Sequence, residues 1–167
     1  MTSPEREARW LQPLDESESE LDYVTLQNPI ASERRVMRRS VTASVLETLE
    51  KNIRLSEQLK LFEIGQVYLP RENEILPAEP RRLSIVFTGR RDHPAWDQKK
   101  IAVLDFFDMK GLLEELGESL HLDSVTFAAA ESTGLHPGKC ALWSSGELEL
   151  GVFGEIHPLV KDRFDFL

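Results

Sequence analysis

Hydrophobic positions recur with a helical period in the first half of the chain. Apolar residues follow one another in steps of four from Met37 to Ile53, which places them on one face of a helix. Ser32 stands where an N-cap belongs, so the pattern predicts a helix over residues 32–54. Two i,i+4 ion pairs are predicted on its polar side, Glu47–Lys51 and Glu50–Arg54.

Three further segments also have helical features. Apolar residues spaced three and four apart run from Phe106 to Leu120, with Asp105 and Asp108 at the start and Gly117 near the predicted end. Short helices are predicted in the first dozen residues, where Pro4 suits a first turn, and after Pro158.

Elsewhere apolar and polar residues alternate with a period of two, which predicts β-strands. Leu83, Ile85 and Phe87 alternate with more polar residues until Gly89 stops the run. The Ser145-Gly146 pair predicts a hairpin turn, and Leu148, Leu150 and Val152 are predicted to share one face of its second strand. Further extended segments are predicted at residues 23–30, ending in the Asn28-Pro29 turn, at residues 61–70, and at Val125 and Phe127.

Strands joined by short turns, with helices between only some of them, predict an α+β fold with an antiparallel β-sheet flanked by helices. A doubly wound parallel sheet is disfavoured, since it needs a helical crossover between neighbouring strands. We predict a short helix and acidic connector over residues 1–25, and a C-terminally truncated core module over residues 26–167. The connector contains five carboxylates between Asp15 and Asp22.

The composition of the chain narrows the classes of function that it can have. The 167 residues include one cysteine, Cys140, so no internal disulfide is possible, and no apolar run predicts a membrane span. A cytoplasmic location is expected. The net charge of −9 makes the chain a poor stand-alone nucleic-acid binder. The arginines at positions 34, 35, 38 and 39 are interpreted as a solvated or partner-facing surface rather than an RNA groove.

Candidate catalytic and metal-binding groups are few and scattered. The four histidines have no metal-site spacing, and no second cysteine supports them. Glu63 and Glu155 could form an acid–base pair, but pairing with arginines or the backbone is favoured. Cys140 is predicted to be a buried small hydrophobe. Trp96 is either a partner anchor or a packing residue. No glycine-rich phosphate loop is present. We therefore predict no catalytic, cofactor-binding or metal-binding residue.

The segment LFEIGQVYLP, Leu61 to Pro70, resembles a strand of class II aminoacyl-tRNA synthetases that contains a Phe-Arg-x-Glu motif. The resemblance implies that the motif falls on Tyr68, Leu69, Pro70 and Arg71. In active enzymes the arginine binds the α-phosphate of ATP. Leu69 has neither a charge nor a hydrogen-bond donor to offer a phosphate.

Four segments in the same order resemble the β subunit of bacterial phenylalanyl-tRNA synthetase, in its catalytic-like core region. They are LQNPIASERRVMRRSV from Leu26, LFEIGQVYLP, DFFDMKGLLEELG from Asp105, and HPGKCA with GVFGEIHP. The resemblance implies a degenerate class II fold within a cytoplasmic (αβ)₂ enzyme that attaches phenylalanine to its tRNA. It places the active site, which binds ATP and the amino acid, on the α subunit. ATP and Mg²⁺ are implied as cofactors of the whole enzyme, and no cofactor is implied for this fragment.

Our hypothesis is a non-catalytic interface module that binds the α subunit, with contact to tRNA-Phe only through the whole complex. The helix predicted over residues 32–54 is the first candidate for the α-facing surface. Two alternatives stay open: an autonomous adenylate-forming ligase, and a tRNA-binding module.

Overall fold

The computed structural model describes residues 2–10, 23–31, 34–92 and 102–166. The chain forms two compact units, one of residues Met1–Gly89 with Asp162–Leu167 and the other of residues Arg90–Lys161. The predicted connector over Asp15–Asp22 lies outside the described residues, so the division at residue 25 stays a prediction. The N-terminal helix is nevertheless joined to the first unit, since Thr2 pairs with Val36 in an antiparallel bridge.

The fold is α+β with antiparallel sheets, as predicted. The first unit contains α1 (Pro4–Ala8), α2 (Thr42–Asn52), β1 (Gln58–Gln66) and β2 (Arg81–Gly89). The second contains α3 (Phe106–Ser119), β3 (Val125–Ala129), β4 (Leu135–Ser145), β5 (Leu148–Ile156) and α4 (Pro158–Lys161). The prediction of a single sheet is wrong for the described strands, because β1 and β2 form one sheet and β3, β4 and β5 form another.

Helix α2 begins ten residues later than predicted. Ser32 and Glu33 lie outside the described residues, but residues 34–41 are described, and none of them is α-helical. Val36 forms bridges with both Thr2 and Thr25, so its backbone is committed to extended pairing. Such non-local backbone pairing overrides a helical side-chain period. The helix starts at Thr42, whose N–H is accepted by the Ser40 hydroxyl at 3.1 Å.

The ion pairs of α2 also differ from the prediction. The Glu47 carboxylate pairs with Arg6 at 2.9 Å, and the Glu50 carboxylate pairs with Arg9 at 2.5 Å. Arg54 pairs with Asp165. The glutamates therefore hold the N-terminal segment to α2 instead of bracing the helix along its own surface.

The core of the first unit lies between α2 and one face of the β1–β2 sheet. Val41, Val45 and Val67 are buried together, and three partly buried side chains pack against them, Leu61, Leu69 and Val86. The strands pair in continuous antiparallel register from Gln58 opposite Gly89 to Gln66 opposite Arg81. Alternate residues of each strand therefore face α2, and the residues between them face away.

The second unit places α3 against the three-stranded sheet. Asp105 caps α3 by accepting the N–H groups of Phe107 and Asp108, and the Asp108 carboxylate accepts the Asp105 N–H at 2.7 Å. This reciprocal capping box confirms the predicted start of the helix. Phe106 stacks on Phe153 of β5 with ring centroids 5.0 Å apart. Gly117 approaches the sheet closely, since an added Cβ would lie 3.2 Å from Val125.

The β4–β5 hairpin forms around Gly146, which has a φ of 58°. Its register shifts between Trp143 and Ser144, so Leu148 lies opposite Ser145 while Val152 lies opposite Leu142. Positions 142 and 145 are on opposite faces of β4, because faces alternate along a strand. The prediction that Leu148 and Val152 share one face is therefore wrong, and the irregular pairing is the reason.

Candidate interaction surface

Leu69 is partly buried and packs against the core of the first unit. Its backbone pairs with Ala78 through two hydrogen bonds of 2.9 Å, which continue the β1–β2 ladder beyond the ends of the strands. Its side chain packs against the buried cluster of Val41, Val45 and Val67. A side chain in this position contacts hydrocarbon, so it stabilises the fold and presents nothing to a nucleotide phosphate.

Glu63 is the carboxylate on the α2-facing side of β1, and its partners lie within the same unit. It pairs with the Arg38 guanidinium and accepts the Ser44 hydroxyl at 3.1 Å. Arg38 also donates from Nε to the Gln66 carbonyl at 2.9 Å. Its guanidinium lies over Gly65, where an added Cβ would be 2.0 Å from Nη2. The glycine therefore leaves room for the ion pair.

Glu155 belongs to the second unit and pairs there with Lys139 at 2.6 Å. The prediction that each of these glutamates is paired, instead of acting in catalysis, agrees with both ion pairs. The partner of Glu155 is a lysine, however, and not an arginine. Each carboxylate has a cation within its own unit. No observation supports an acid–base pair formed by Glu63 and Glu155.

The Glu7 carboxylate of α1 is a buried group that the sequence did not single out. Its side chain is 2% exposed, and its two oxygens accept the Arg39 N–H at 3.0 and 3.2 Å. Burial raises the pKa of Glu7, while hydrogen bonds from the backbone of Arg39 and Ser40 and from the Tyr23 side chain act in the opposite direction. Burial and the nearby Glu7 carboxylate raise the pKa of Tyr23 to about 12. The cluster anchors α1 to the segment that precedes α2.

His136 and His157 act as local turn residues. Each is followed by proline, and each Nδ1 accepts the backbone N–H two residues ahead, from Gly138 at 3.0 Å and from Leu159 at 3.1 Å. In each case the donor is the residue after the proline, because the proline itself has no N–H to donate. The two rings are 6.4 Å apart between centroids. His93 lies outside the described residues, and His121 adopts a positive φ of 54° after α3.

The described residues contain no group of three His, Cys, Asp or Glu side chains arranged to hold a metal ion. Cys140 is buried in β4, and this burial raises the pKa of its thiol, which disfavours a nucleophilic thiolate. Trp96 lies outside the described residues. In the second unit, an open groove beside β3 contains the Lys110–Glu114 pair, and the Lys110 ammonium lies 5.0 Å from the Phe127 ring centroid.

Exposed apolar side chains of the first unit lie on the face of the β1–β2 sheet that points away from α2. Phe62, Ile64 and Leu83 are 72%, 63% and 43% exposed. Phe62 lies opposite Ile85, and Ile64 lies opposite Leu83, so these side chains are adjacent across the two strands. Ile85 and Phe87 are on the same side of the sheet and are half-buried. We call this surface the open face and define it as Phe62, Ile64, Leu83, Ile85 and Phe87.

The open face is one that sequence reasoning missed, although a signal was present. Apolar residues occupy both alternating sets of β1, since Leu59 and Leu61 belong to one set and Phe62 and Ile64 to the other. Strands with both faces apolar are typical of sheets covered on both sides. Helix α2 covers this sheet on the side of Leu61.

Comparison with known proteins places these features in a family. The sequence model of the phenylalanyl tRNA synthetase beta chain CLM domain matches residues 1–166. The chain belongs to this family. It is 38% identical over 143 residues to the phenylalanine–tRNA ligase beta subunit of Geobacter sulfurreducens. The aligned region covers 84% of this chain and 18% of that protein.

Two further relatives with the same name agree with this placement. The beta subunit of Syntrophotalea carbinolica is 35% identical over 154 residues, covering 91% of this chain and 19% of that protein. The beta subunit of Bacillus cereus is 37% identical over 145 residues, covering 85% and 18%. The CLM-domain chain thus spans about a fifth of the length of these relatives. Among its described helices, none has both the length and the apolar character needed to cross a membrane.

Proposed function

We propose that the chain is a non-catalytic structural and interface module of the β subunit of phenylalanine–tRNA ligase. The enzyme attaches phenylalanine to its tRNA using ATP, with the active site on the α subunit. The open face carries this proposal, because exposed apolar surface on an otherwise ordered sheet is typical of protein–protein contact. Family membership supports the same role.

The finer description of the fold is also part of the proposal. The module is a degenerate class II synthetase fold in which the hairpin of β1 and β2 replaces the ATP-binding strand pair. Two observations support this: the strands are antiparallel, and Leu69 packs in the core at the position implied for the arginine. ATP and Mg²⁺ are then requirements of the whole enzyme, with the ATP site on its α subunit, and this module binds neither.

The partner in this proposal is the α subunit of a cytoplasmic (αβ)₂ enzyme, which reaches tRNA-Phe as a complex. The helix predicted over residues 32–54 was the first candidate for the contact with α. The apolar side chains of α2 are instead buried within their own unit, including Val45, Leu46 and Leu49. The open face therefore replaces the helix as the candidate surface.

Co-expression with a tagged α subunit tests the proposal. We expect the chain to co-purify with α in a fixed ratio and to remain folded, as judged by circular dichroism of the complex and of the chain alone. A folded chain that never co-purifies with α would contradict the proposed role.

The two alternatives have their own tests, and no specific observation among the described residues favours either. An autonomous ligase would catalyse phenylalanine-dependent exchange of pyrophosphate into ATP without α. A tRNA-binding module would bind tRNA with strong dependence on salt. Two of the arginines considered for RNA contact have protein partners, since Arg38 pairs with Glu63 and the Arg39 guanidinium lies 5.9 Å from the Tyr23 ring centroid.

A further inference from the structure

We propose that the open face of the β1–β2 hairpin is bound by an element of the α subunit that is apolar in the middle and carries acidic side chains near its two ends. This inference rests on the proposed function and adds the surface and the chemistry of the contact. The surface is the open face already defined, and its flanking cations are Lys60 on β1 and Arg81 on β2.

The open face is separate from the core of the hairpin. The opposite side of the sheet supplies Leu61 and Val86 to the cluster around Val41 and Val45. Phe62 and Ile64 are largely exposed, so they contribute little to the packing of this unit. Polar substitutions at positions 62 and 64 should therefore leave the unit folded, which makes the surface testable.

A second copy of the chain is a poor occupant because the area is too small. Each strand has nine residues. At about 3.3 Å per residue and about 5 Å between strands, the face measures roughly 30 by 10 Å, or about 300 Å². Two such faces would bury about 600 Å² together, whereas a specific interface buries at least roughly 1,200 Å². The occupant must therefore be held by additional contacts, as a subunit of a larger assembly is.

The charges at the ends of the face indicate the chemistry of the occupant. Lys60 and Arg81 lie at diagonally opposite corners, since Lys60 is opposite Phe87 and Arg81 is opposite Gln66. The six steps along the strand from position 60 to position 66 correspond to about 20 Å. Near Arg81, the Glu79 carboxylate accepts a hydrogen bond from the Gln66 side-chain amide at 3.4 Å. The charges of Lys60, Arg81 and Glu79 sum to +1, whereas the whole chain has a net charge of −9.

An interface with an apolar centre and a charged rim is typical of contact between separately folded subunits. Carboxylates placed about 20 Å apart on the α subunit would face Lys60 and Arg81, a spacing that about thirteen residues of helix or six residues of strand provide. Two copies of this face would instead bring cations together, which disfavours self-association.

The test compares co-purification of tagged α subunit with the chain and with its double variant Phe62→Gln/Ile64→Thr. We expect the yield of chain per α subunit to fall at least tenfold in the double variant. The matched control is Ile30→Thr/Leu55→Gln, which removes two exposed apolar side chains that lie outside the open face. Circular dichroism and thermal melts of the three free chains establish that each is folded.

Reversal of charge provides the second arm. Lys60→Glu/Arg81→Glu should weaken co-purification severalfold, and the loss should shrink as salt rises, whereas Lys51→Glu on α2 should have no effect. If wild-type chain binds α and the open-face variants bind equally well, the inference is overturned and the proposed function stands. If folded wild-type chain never binds α, both are overturned. If the free chain forms a dimer and the Phe62→Gln/Ile64→Thr variant is monomeric, the open face mediates self-association. That result would also overturn the inference.

Discussion

Two glycines of β5 give a matched pair of substitutions that tests the close packing of the β4–β5 hairpin. An added Cβ at Gly154 would lie 2.2 Å from the Lys139 carbonyl oxygen and 3.0 Å from the Cys140 Cα. An added Cβ at Gly151 would meet no atom within 4 Å. Both residues are in the same strand, so Gly154→Ala and Gly151→Ala differ mainly in this contact.

The magnitude follows from the obstacle at Gly154. Both close atoms are backbone, so β4 and β5 must separate by about 1 Å, and overpacking of this kind costs roughly 1–3 kcal/mol. At Gly151, alanine should be neutral or stabilise the strand by about 0.5–1 kcal/mol, because it lowers the entropy lost on folding. We therefore expect the two variants to differ in free energy of unfolding by about 1–4 kcal/mol.

Urea denaturation followed by Trp fluorescence and circular dichroism measures this difference, with thermal melts as a second readout. For a chain of this length each kcal/mol corresponds to roughly 2–4 °C in Tm, so the variants should differ by at least about 2 °C. Equal stability of Gly154→Ala and Gly151→Ala would refute the close approach of β5 to Lys139.

Three further substitutions test other parts of the structure. Glu7→Gln removes a carboxyl whose pKa is raised in the folded state, so wild-type stability should fall relative to the variant as pH rises from about 4 to 7, and a constant difference in Tm would contradict this. Leu69→Arg should give no ATP binding by equilibrium dialysis and should lower Tm, because it brings a charge to the core, so measurable nucleotide affinity would count against a degenerate site. Asp105→Ala removes the N-cap of α3 and should cost about 1 kcal/mol in urea denaturation, whereas a change below a few tenths would show that the capping box is unimportant.

Local signals in the sequence predicted the elements that depend on neighbouring residues. The capping pair of Asp105 and Asp108 marks the start of α3, and the alternation ending at Gly89 marks β2. In both cases the residues that decide the structure lie within a few positions of one another. The predicted turn at Gly146 is of the same kind.

The errors arose where distant residues decide the structure. Residues from position 34 to 41 have a helical period, but Val36 pairs with Thr2 and Thr25 and keeps its backbone extended. The burial of Glu7 depends on the Arg39 backbone, 32 positions away, and no local pattern encodes that contact. The separation of the strands into two sheets is non-local in the same sense.

The candidate surface was only partly accessible from the sequence. The assignment of Leu69 to the position of a catalytic arginine stays a prediction, and the Leu69 side chain packs against the core. The open face required the register of β1 and β2, since only the pairing of Phe62 with Ile85 and of Ile64 with Leu83 shows that the apolar residues form one surface. The arginines and the apolar stripe of the predicted helix favoured that helix as the surface that contacts the α subunit. The apolar side chains of α2 are instead buried in their own unit.

Sedimentation velocity of the purified α subunit, the purified chain and their mixture tests the central claim most directly. We predict that the mixture forms a larger species containing both polypeptides, and that the free chain remains a smaller folded species without phenylalanine-dependent pyrophosphate exchange. Two species that sediment independently at micromolar concentrations, with the chain folded, would contradict the account.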